Sequence, residues 1–315
     1  MIKNVTVIGG GVLGSQIAYQ TAYKGFNVVT WVRSEGSIER AKPKFERLRH
    51  LYVEELTNGK VHGGLIGNGL LPNMLEPDAI DYDAQIAIAE RTYKNLVFET
   101  DLAEAVKDAD LVIEALAEDS KQKVEFYEAL QKVLPEKTII ATNSSTLLPS
   151  RLAESTGRPS QFLALHFANN IWRLNIAEIM GHAETDKLIY QEVVAFAEAI
   201  GMVPLCLKKE RAGYLLNSLL VPFLNAGMGL LVDDISDPAT IDLAWKLGTG
   251  APMGPFQILD VVGITTAYNI VKNNPQAKDE NSVFARIAKL LKEDYIDKGK
   301  LGVNAGEGFY NYKED

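Results

Sequence analysis

A β-branched run over residues 3–8 passes into Gly9-Gly10-Gly11-Val12-Leu13-Gly14 and then into an Ala/Gln/Ile-rich stretch reaching about Lys24. That order predicts strand, tight turn and helix, the first half of a βαβ unit. A second strand is predicted over Asn27 to Arg33. Further apolar runs at 96–99, 110–116, 138–142 and 162–166 alternate with helical patterns such as 119–133. Strands alternating with amphipathic helices predict an α/β fold, a Rossmann-type, doubly wound, mainly parallel sheet. From about Glu210 the strand-like runs stop, and the pattern becomes helical over 210–232, 237–247, 255–272 and 282–294. The expected organisation is therefore a dinucleotide-binding domain over 1–208 and an all-helical C-terminal domain over 209–315. Residues 58–80, with five Gly and two Pro and no clear period, read as an irregular excursion from the first domain.

Length and composition fit this division. The chain has 315 residues, 47% apolar and 23% charged, enough for about two globular domains. Its net charge of −9 argues against a general nucleic-acid binder, which needs a basic footprint to neutralise phosphates. One cysteine, Cys206, cannot form an internal disulfide, and four scattered histidines have no zinc-ligand spacing, so no metal is expected. The most apolar stretch, Leu215 to Val232, is broken by Asn217, Ser218, Pro222 and Asn225, which marks a buried or interface helix rather than a membrane span. Met1-Ile2-Lys3-Asn4 runs straight into a strand without a signal-peptide pattern, and the expectation is a cytoplasmic protein with a small-molecule substrate.

The glycine turn carries the first chemistry. Placed between strand and helix, Gly9 permits the tight turn, Gly11 lets a pyrophosphate approach the backbone, and Gly14 lets the helix pack on the sheet. Val12 and Leu13 open the helix, whose free N–H groups and positive dipole end would face the anion. An NAD site usually places a carboxylate about 20 residues on, at the end of the second strand, to bond the ribose 2′-OH. Val32-Arg33-Ser34 stands there instead. A guanidinium and a hydroxyl can bond a 2′-phosphate, so NADP is the predicted cofactor over NAD. The alternative is a solvated Arg33 with Glu35 on the ribose. Residues 24–50 hold seven Lys or Arg against three Glu, a basic patch in an acidic chain that serves a phosphate or is simply a solvated helix face.

Oxidation of an alcohol by hydride loss needs a group to take the hydroxyl proton, and histidine suits that near neutral pH. His166 ends a predicted strand, and strand carboxyl ends are where ligands bind in such sheets. Twelve residues later Glu178 lies within the apolar run Ile176 to Met180, where a carboxylate beside His166 would orient the imidazole and stabilise its protonated form. From spacing alone, a core histidine and an unrelated strand-edge glutamate explain both residues equally well.

The glycine turn, Thr142-Asn143-Ser144-Ser145, Leu165-His166-Phe167, the step to Glu178, Ala212-Gly213-Tyr214-Leu215-Leu216-Asn217, Pro252-Met253-Gly254-Pro255-Phe256 and Gly306-Glu307-Gly308-Phe309-Tyr310 occur in one order over nearly the whole chain. Together they are similar to the L-3-hydroxyacyl-CoA dehydrogenase family. The resemblance implies that His166 is the general base for oxidation and the general acid for reduction, with Glu178 its partner. It implies that Ser145 bonds the substrate oxygen close to the nicotinamide, and that Asn217 completes that oxygen's polar environment when the domains close. It maps nicotinamide-side contacts onto Glu118, Lys123 and Asn169, and it implies a homodimer acting on an acyl-CoA. Read without the resemblance, Glu118 and Lys123 make a surface pair and Asn217 a bond between helices.

The chain also departs from the family's pattern. His166-Phe167-Ala168-Asn169-Asn170 stands where the family has His-Phe-Phe-Asn-Pro, Ala212-Gly213-Tyr214 where it has Pro-Gly-Phe, Asn217-Ser218 where it has Asn-Arg, and Asn304-Ala305-Gly306 where it has Lys-Thr-Gly. Ser145-Thr146-Leu147-Leu148-Pro149-Ser150 and Glu210-Arg211-Ala212-Gly213 resemble the λ-crystallin/L-gulonate dehydrogenase branch, which implies a free hydroxy acid as the alternative substrate. A non-catalytic protein on the same fold is the third reading, and it needs none of the polar chemistry of Ser145, His166, Glu178 and Asn217.

Overall fold

The computed structural model describes residues 2–63, 66–72 and 80–313. They form two compact units, the first ending at Leu215 and the second beginning at Leu216.

The first unit is the doubly wound sheet. It runs β1 (Asn4–Ile8), α1 (Val12–Tyr23), β2 (Asn27–Trp31), α2 (Glu35–His62), α3 (Tyr82–Lys94), β3 (Val97–Glu99), α4 (Leu102–Val106), β4 (Leu111–Glu114), α5 (Ser120–Leu130), β5 (Ile139–Thr142), β6 (Phe162–Phe167), β7 (Ile176–Met180), α6 (Lys187–Ala199) and β8 (Val203–Cys206). The strand order is β3-β2-β1-β4-β5-β6-β7-β8. All neighbours are parallel except β6 and β7, which run antiparallel. Buried on both faces, the central strands β4 and β5 read as continuous apolar text, as parallel strands do. Val5, Val7, Leu111, Ile113, Leu163 and Leu165 pack into one large core. Each such side chain contributes about 1.5–3 kcal/mol when fully buried.

Several sequence expectations shift. The second strand stops at Trp31 instead of Arg33, because Arg33 and Ser34 turn outward and Ser34 becomes the N-cap of α2. The strand β8 was not anticipated, since it carries Pro204; it lies at the sheet edge, where a missing N–H costs no ladder bond. Of the excursion expected over 58–80, residues 58–62 belong to α2 and Asn68–Leu70 form a single 3₁₀ turn, while 64–65 and 73–79 lie outside the described residues. Gly59 is no turn residue. A Cβ there would stand 2.4 Å from Ile66 and 2.9 Å from Tyr82, so the glycine permits close packing inside a helix.

The units divide seven residues later than the expected boundary at 208/209, because residues 210–215 are tied to the first unit. Glu210 accepts from the Ser150 N–H at 2.8 Å, the Arg211 N–H points at the Met180 sulfur, and Tyr214 is buried with Ala164 and Met180.

The second unit contains α7 (Leu216–Val232), α8 (Pro238–Thr249), α9 (Pro255–Val262), α10 (Ile264–Lys272) and α11 (Val283–Leu290). The helix expected over 255–272 is two helices, broken at Gly263 with φ 93°. Leu224, Met228, Phe256, Leu259, Ile264 and Ile287 form its core. Among the described residues, no helix is long and apolar enough to cross a membrane.

Candidate functional site

The carboxyl ends of β1, β4, β5 and β6 lie side by side, and the strand order reverses between β1 and β4, where open α/β sheets hold their ligands. Each of these ends carries part of the site.

At the end of β1, Gly9 has φ 111°, and a Cβ there would stand 2.9 Å from the Ala115 carbonyl oxygen. A Cβ on Gly14 would stand 2.1 Å from the Gly9 carbonyl oxygen. The chain's own packing therefore demands both glycines. Gly11 differs: its φ of −70° suits any residue, and a Cβ would meet nothing within 4 Å. Among the described residues nothing demands glycine there, and the backbone stands open to a group approaching from outside. Val12, Leu13 and Gly14 supply the first-turn amides of α1, which have no preceding helical carbonyl to bond. These observations fit a dinucleotide pyrophosphate.

A cavity of about 300 Å³ opens beside this turn, lined by Gly9 to Gly11, Trp31, Arg33, Ser37, Arg40 and Lys44 among others. Three cationic side chains and a hydroxyl face it, and among the described residues no carboxylate lines it. Arg40 Nη2 donates to Ser37 Oγ at 2.7 Å, so two of these groups are already aligned. Ser34 Oγ lies 3.1 Å from Ser37 Oγ. Glu35, the sequence alternative for the ribose, is exposed and is not among the lining residues. The basic patch expected over 24–50 includes Arg40 and Lys44; the structure selects these two from it and adds Ser37, at helical spacing on α2.

His166 and Glu178 are directly opposite in the antiparallel pair β6–β7. His166 Nδ1 is 3.0 Å from Glu178 Oε2, and Ser145 Oγ is 3.1 Å from His166 Nε2. Both His166 and Glu178 are buried. An ionised carboxylate only accepts, so Nδ1 carries the hydrogen and Nε2 is left to exchange a proton. Glu178 Oε1 also accepts the Leu215 N–H at 2.8 Å. The array can take up and return one proton at Nε2 while the buried carboxylate balances the imidazolium charge.

Glu118 holds the loop that carries Ser145. Its Oε1 accepts from Ser144 Oγ at 2.6 Å and from the Thr146 N–H and Oγ1, each at 2.7 Å. Burial opposes ionisation of this carboxyl, but the bonds from Ser144 and Thr146 and the nearby Lys123 outweigh it and hold the group below its usual value. Lys123 is only 1% exposed, so the surface-pair alternative does not describe it. Its Nζ is 2.5 Å from Glu114 Oε1 and 3.9 Å from Glu118 Oε2.

Asn169 follows β6 on an exposed loop, next to Asn170, whose N–H donates to Gln16 Oε1 at 2.7 Å. Asn217 is the second residue of α7 and belongs to the second unit. Sequence reasoning gave no role to Gln16, Glu114 or Tyr214, although Glu114 is a carboxylate within the apolar run 110–116 and Tyr214 stands in one of the quoted motifs.

Comparisons with known proteins show the family to which this chain is similar. The family model described as "3-hydroxyacyl-CoA dehydrogenase, NAD binding domain" matches residues 4–211, and that described as "3-hydroxyacyl-CoA dehydrogenase, C-terminal domain" matches residues 213–312. The mitochondrial hydroxyacyl-coenzyme A dehydrogenase of Mus musculus is 33% identical over 314 residues, covering 99% of this chain and 92% of its own length. Among solved structures, one described as "Substrate-directed dual catalysis of dicarbonyl compounds by diketoreductase" is 51% identical, with TM-score 0.85 and 99% of both chains covered. The (S)-3-hydroxybutyryl-CoA dehydrogenase of Ralstonia eutropha is 25% identical, with TM-score 0.75 and 100% of both chains covered.

Proposed function

This chain belongs to the 3-hydroxyacyl-CoA dehydrogenase family, and from that premise we propose that it interconverts an L-3-hydroxyacyl-CoA and the 3-ketoacyl-CoA, with NADP(H) favoured. The observation that carries the reading is the hydrogen-bonded series Ser145, His166, Glu178 at the carboxyl end of β6, in the same unit as the glycine turn. When bound, the nicotinamide accepts or supplies the hydride at the substrate carbon. In oxidation His166 Nε2 takes the hydroxyl proton, and in reduction it returns one to the forming alkoxide. Such positioned proton transfer contributes about 10²–10⁴-fold. Glu178 fixes the tautomer and compensates the charge. Ser145 donates to the substrate oxygen, and Glu118 keeps the serine loop in place. Lys123 acts through Glu118, and Asn169 is read as a cofactor contact; the role of Asn217 rests on the resemblance.

The cofactor preference is supported by Arg33, Ser37, Arg40 and Lys44 around a cavity that no carboxylate lines among the described residues. Charge-assisted bonds of that kind suit a 2′-phosphate better than a bare ribose hydroxyl. A second reading is a free substrate without CoA, a hydroxy acid or its dicarbonyl counterpart. It is favoured by the 51% identity to a protein described as acting on dicarbonyl compounds. Oxidation of NADPH or NADH at 340 nm, with acetoacetyl-CoA or ethyl acetoacetate in parallel, tests all of this. Faster turnover of acetoacetyl-CoA with NADPH is expected. Turnover of the ester alone selects the second reading, and a preference for NADH discards the cofactor assignment.

We also read the chain as a cytoplasmic homodimer. Its lone thiol, Cys206, is exposed and free, which fits a reducing compartment, and cell fractionation checks this. The second unit exposes Leu219, Leu243 and Leu247, and it has an apolar hollow of about 560 Å³ lined by Phe223, Leu230, Ile235 and Trp245 among others. Exposed apolar surface beyond scattered single residues marks an interface. Light scattering in dilute solution should give the mass of two chains; the mass of one would contradict the reading.

A further inference from the structure

Beside the proton-transfer array lies a residue that the reaction as described does not use. The Tyr214 ring stacks on the His166 imidazole, with centroids 4.4 Å apart and planes 9° from parallel. Its hydroxyl donates to the Ser144 carbonyl oxygen at 2.7 Å, the carbonyl of the peptide that leads into Ser145. The residues on either side reach the rest of the array. The Gly213 N–H donates to the Ser145 carbonyl at 3.2 Å, and the Leu215 N–H donates to Glu178 Oε1 at 2.8 Å. Three consecutive residues thus hold the serine, the histidine and the glutamate.

We infer that Tyr214 is a positioning residue for the proton transfer, fixing the plane of His166 by stacking and the place of Ser145 by its hydroxyl. The inference rests on the reading of His166 as the proton-transfer group. A space-filling aromatic explains less. Phenylalanine would fill the same volume, and a phenol at 1% exposure is costly unless bonded. The backbone at Tyr214 has φ 52°, a left-handed conformation that a bulky side chain rarely adopts. Strain of that kind persists where surrounding bonds over-determine it, and such places cluster at functional sites. Here the bonds from Gly213 and Leu215 supply the determination. Two of the imidazole's in-plane directions are set by Glu178 and Ser145, and the Tyr214 face restricts rotation out of that plane. Because one phenol holds both the ring and the peptide before Ser145, donor and base keep their mutual geometry.

The test compares Tyr214→Phe, Tyr214→Leu and His166→Gln on whichever of acetoacetyl-CoA or ethyl acetoacetate the wild type turns over faster. Tyr214→Phe keeps the stack and loses the tether. Its kcat should fall about tenfold, the equivalent of one neutral hydrogen bond, with KM and NADPH affinity unchanged. Tyr214→Leu loses both and should fall about 100-fold in kcat, since small misplacements of reacting groups cost that much. Proton NMR of the imidazoles gives a second readout. The His166 ring protons, under the phenol face, should be shifted upfield in wild type and Tyr214→Phe and lose that shift in Tyr214→Leu. A Phe variant with wild-type kcat overturns the inference, as does one that loses kcat, NADPH binding and thermal stability together. If Tyr214→Leu does not fold, Tyr214→Phe decides alone. An active His166→Gln overturns the reading of the site itself, whereas an inactive one beside a fully active Tyr214→Phe overturns the inference only.

Discussion

Lys123 sits where lysines are seldom found. At 1% exposure its Nζ bonds Glu114, whose other oxygen accepts from Tyr127 and Thr142, each at 2.8 Å. Removing one member of a buried pair leaves the other uncompensated and costs about 3–5 kcal/mol, so this cluster is rigid by necessity. Glu118, at the rim of the cluster, transmits that rigidity to the Ser145 loop. Because bonding holds its folded value below the usual 4.5, its contribution is complete above that pH. The contribution is lost as pH falls through the depressed value. Hydrogen exchange of the 144–147 amides, corrected for intrinsic rates, should therefore show protection unchanged from pH 7 to 5 and falling below 4.5. In Glu118→Gln the protection should already be reduced at pH 7; full protection there would contradict the clamp. Residues of this sort were only partly legible. His166 and Glu178 were visible because a charged group interrupts an apolar strand, and the antiparallel register of β6 and β7 explains why a twelve-residue step brings them together. Glu114 carries the same mark, a carboxylate within the apolar run 110–116, and only its partners Lys123, Tyr127 and Thr142 show that it is structural. Tyr214 carries no such mark, since its partners are the Ser144 carbonyl and the His166 ring, both distant in sequence.

At the level of elements, the glycine-rich motifs of the second unit serve the fold. A Cβ at Gly308 would stand 2.0 Å from Asp260 Oδ1, and one at Gly302 would stand 2.3 Å from the Asp260 carbonyl oxygen. The C-terminal segment closes on that carboxylate, which accepts the Phe309 N–H at 2.8 Å, the Tyr310 N–H at 3.0 Å and the Tyr312 hydroxyl at 2.9 Å. Asp242 does the same for the start of α9, accepting the Phe256 and Gln257 amides where the helix dipole favours a negative charge. Asp260→Ala leaves three part-buried donors without their acceptor and should destabilise the chain by about 2 kcal/mol. A urea midpoint equal to that of wild type would contradict this. Pro252 to Phe256 and Gly306 to Tyr310 looked like family signatures in the sequence, but their purpose was hidden, because it depends on two aspartates that no local pattern links to them. The break at Gly263 was likewise masked by apolar periodicity on both sides of it.

For the whole molecule, charge is distributed against its average. The net charge is −9, yet the face of α2 beside the glycine turn carries Arg40 and Lys44 with Arg33, so the cavity there is locally basic. The division into a sheet unit and a helical unit was legible from the end of strand-like text near Glu210. Its position was not, because the segment up to Leu215 is held by hydrogen bonds to distant residues. The central claim is that proton transfer belongs to His166. Following NADPH at 340 nm with acetoacetyl-CoA and, separately, ethyl acetoacetate tests it most directly, comparing wild type with His166→Gln and checking NADPH binding by fluorescence. The account predicts turnover lowered by at least about 100-fold in the variant on any substrate the wild type accepts, with cofactor affinity unchanged. A variant that binds NADPH and turns over like wild type would contradict it.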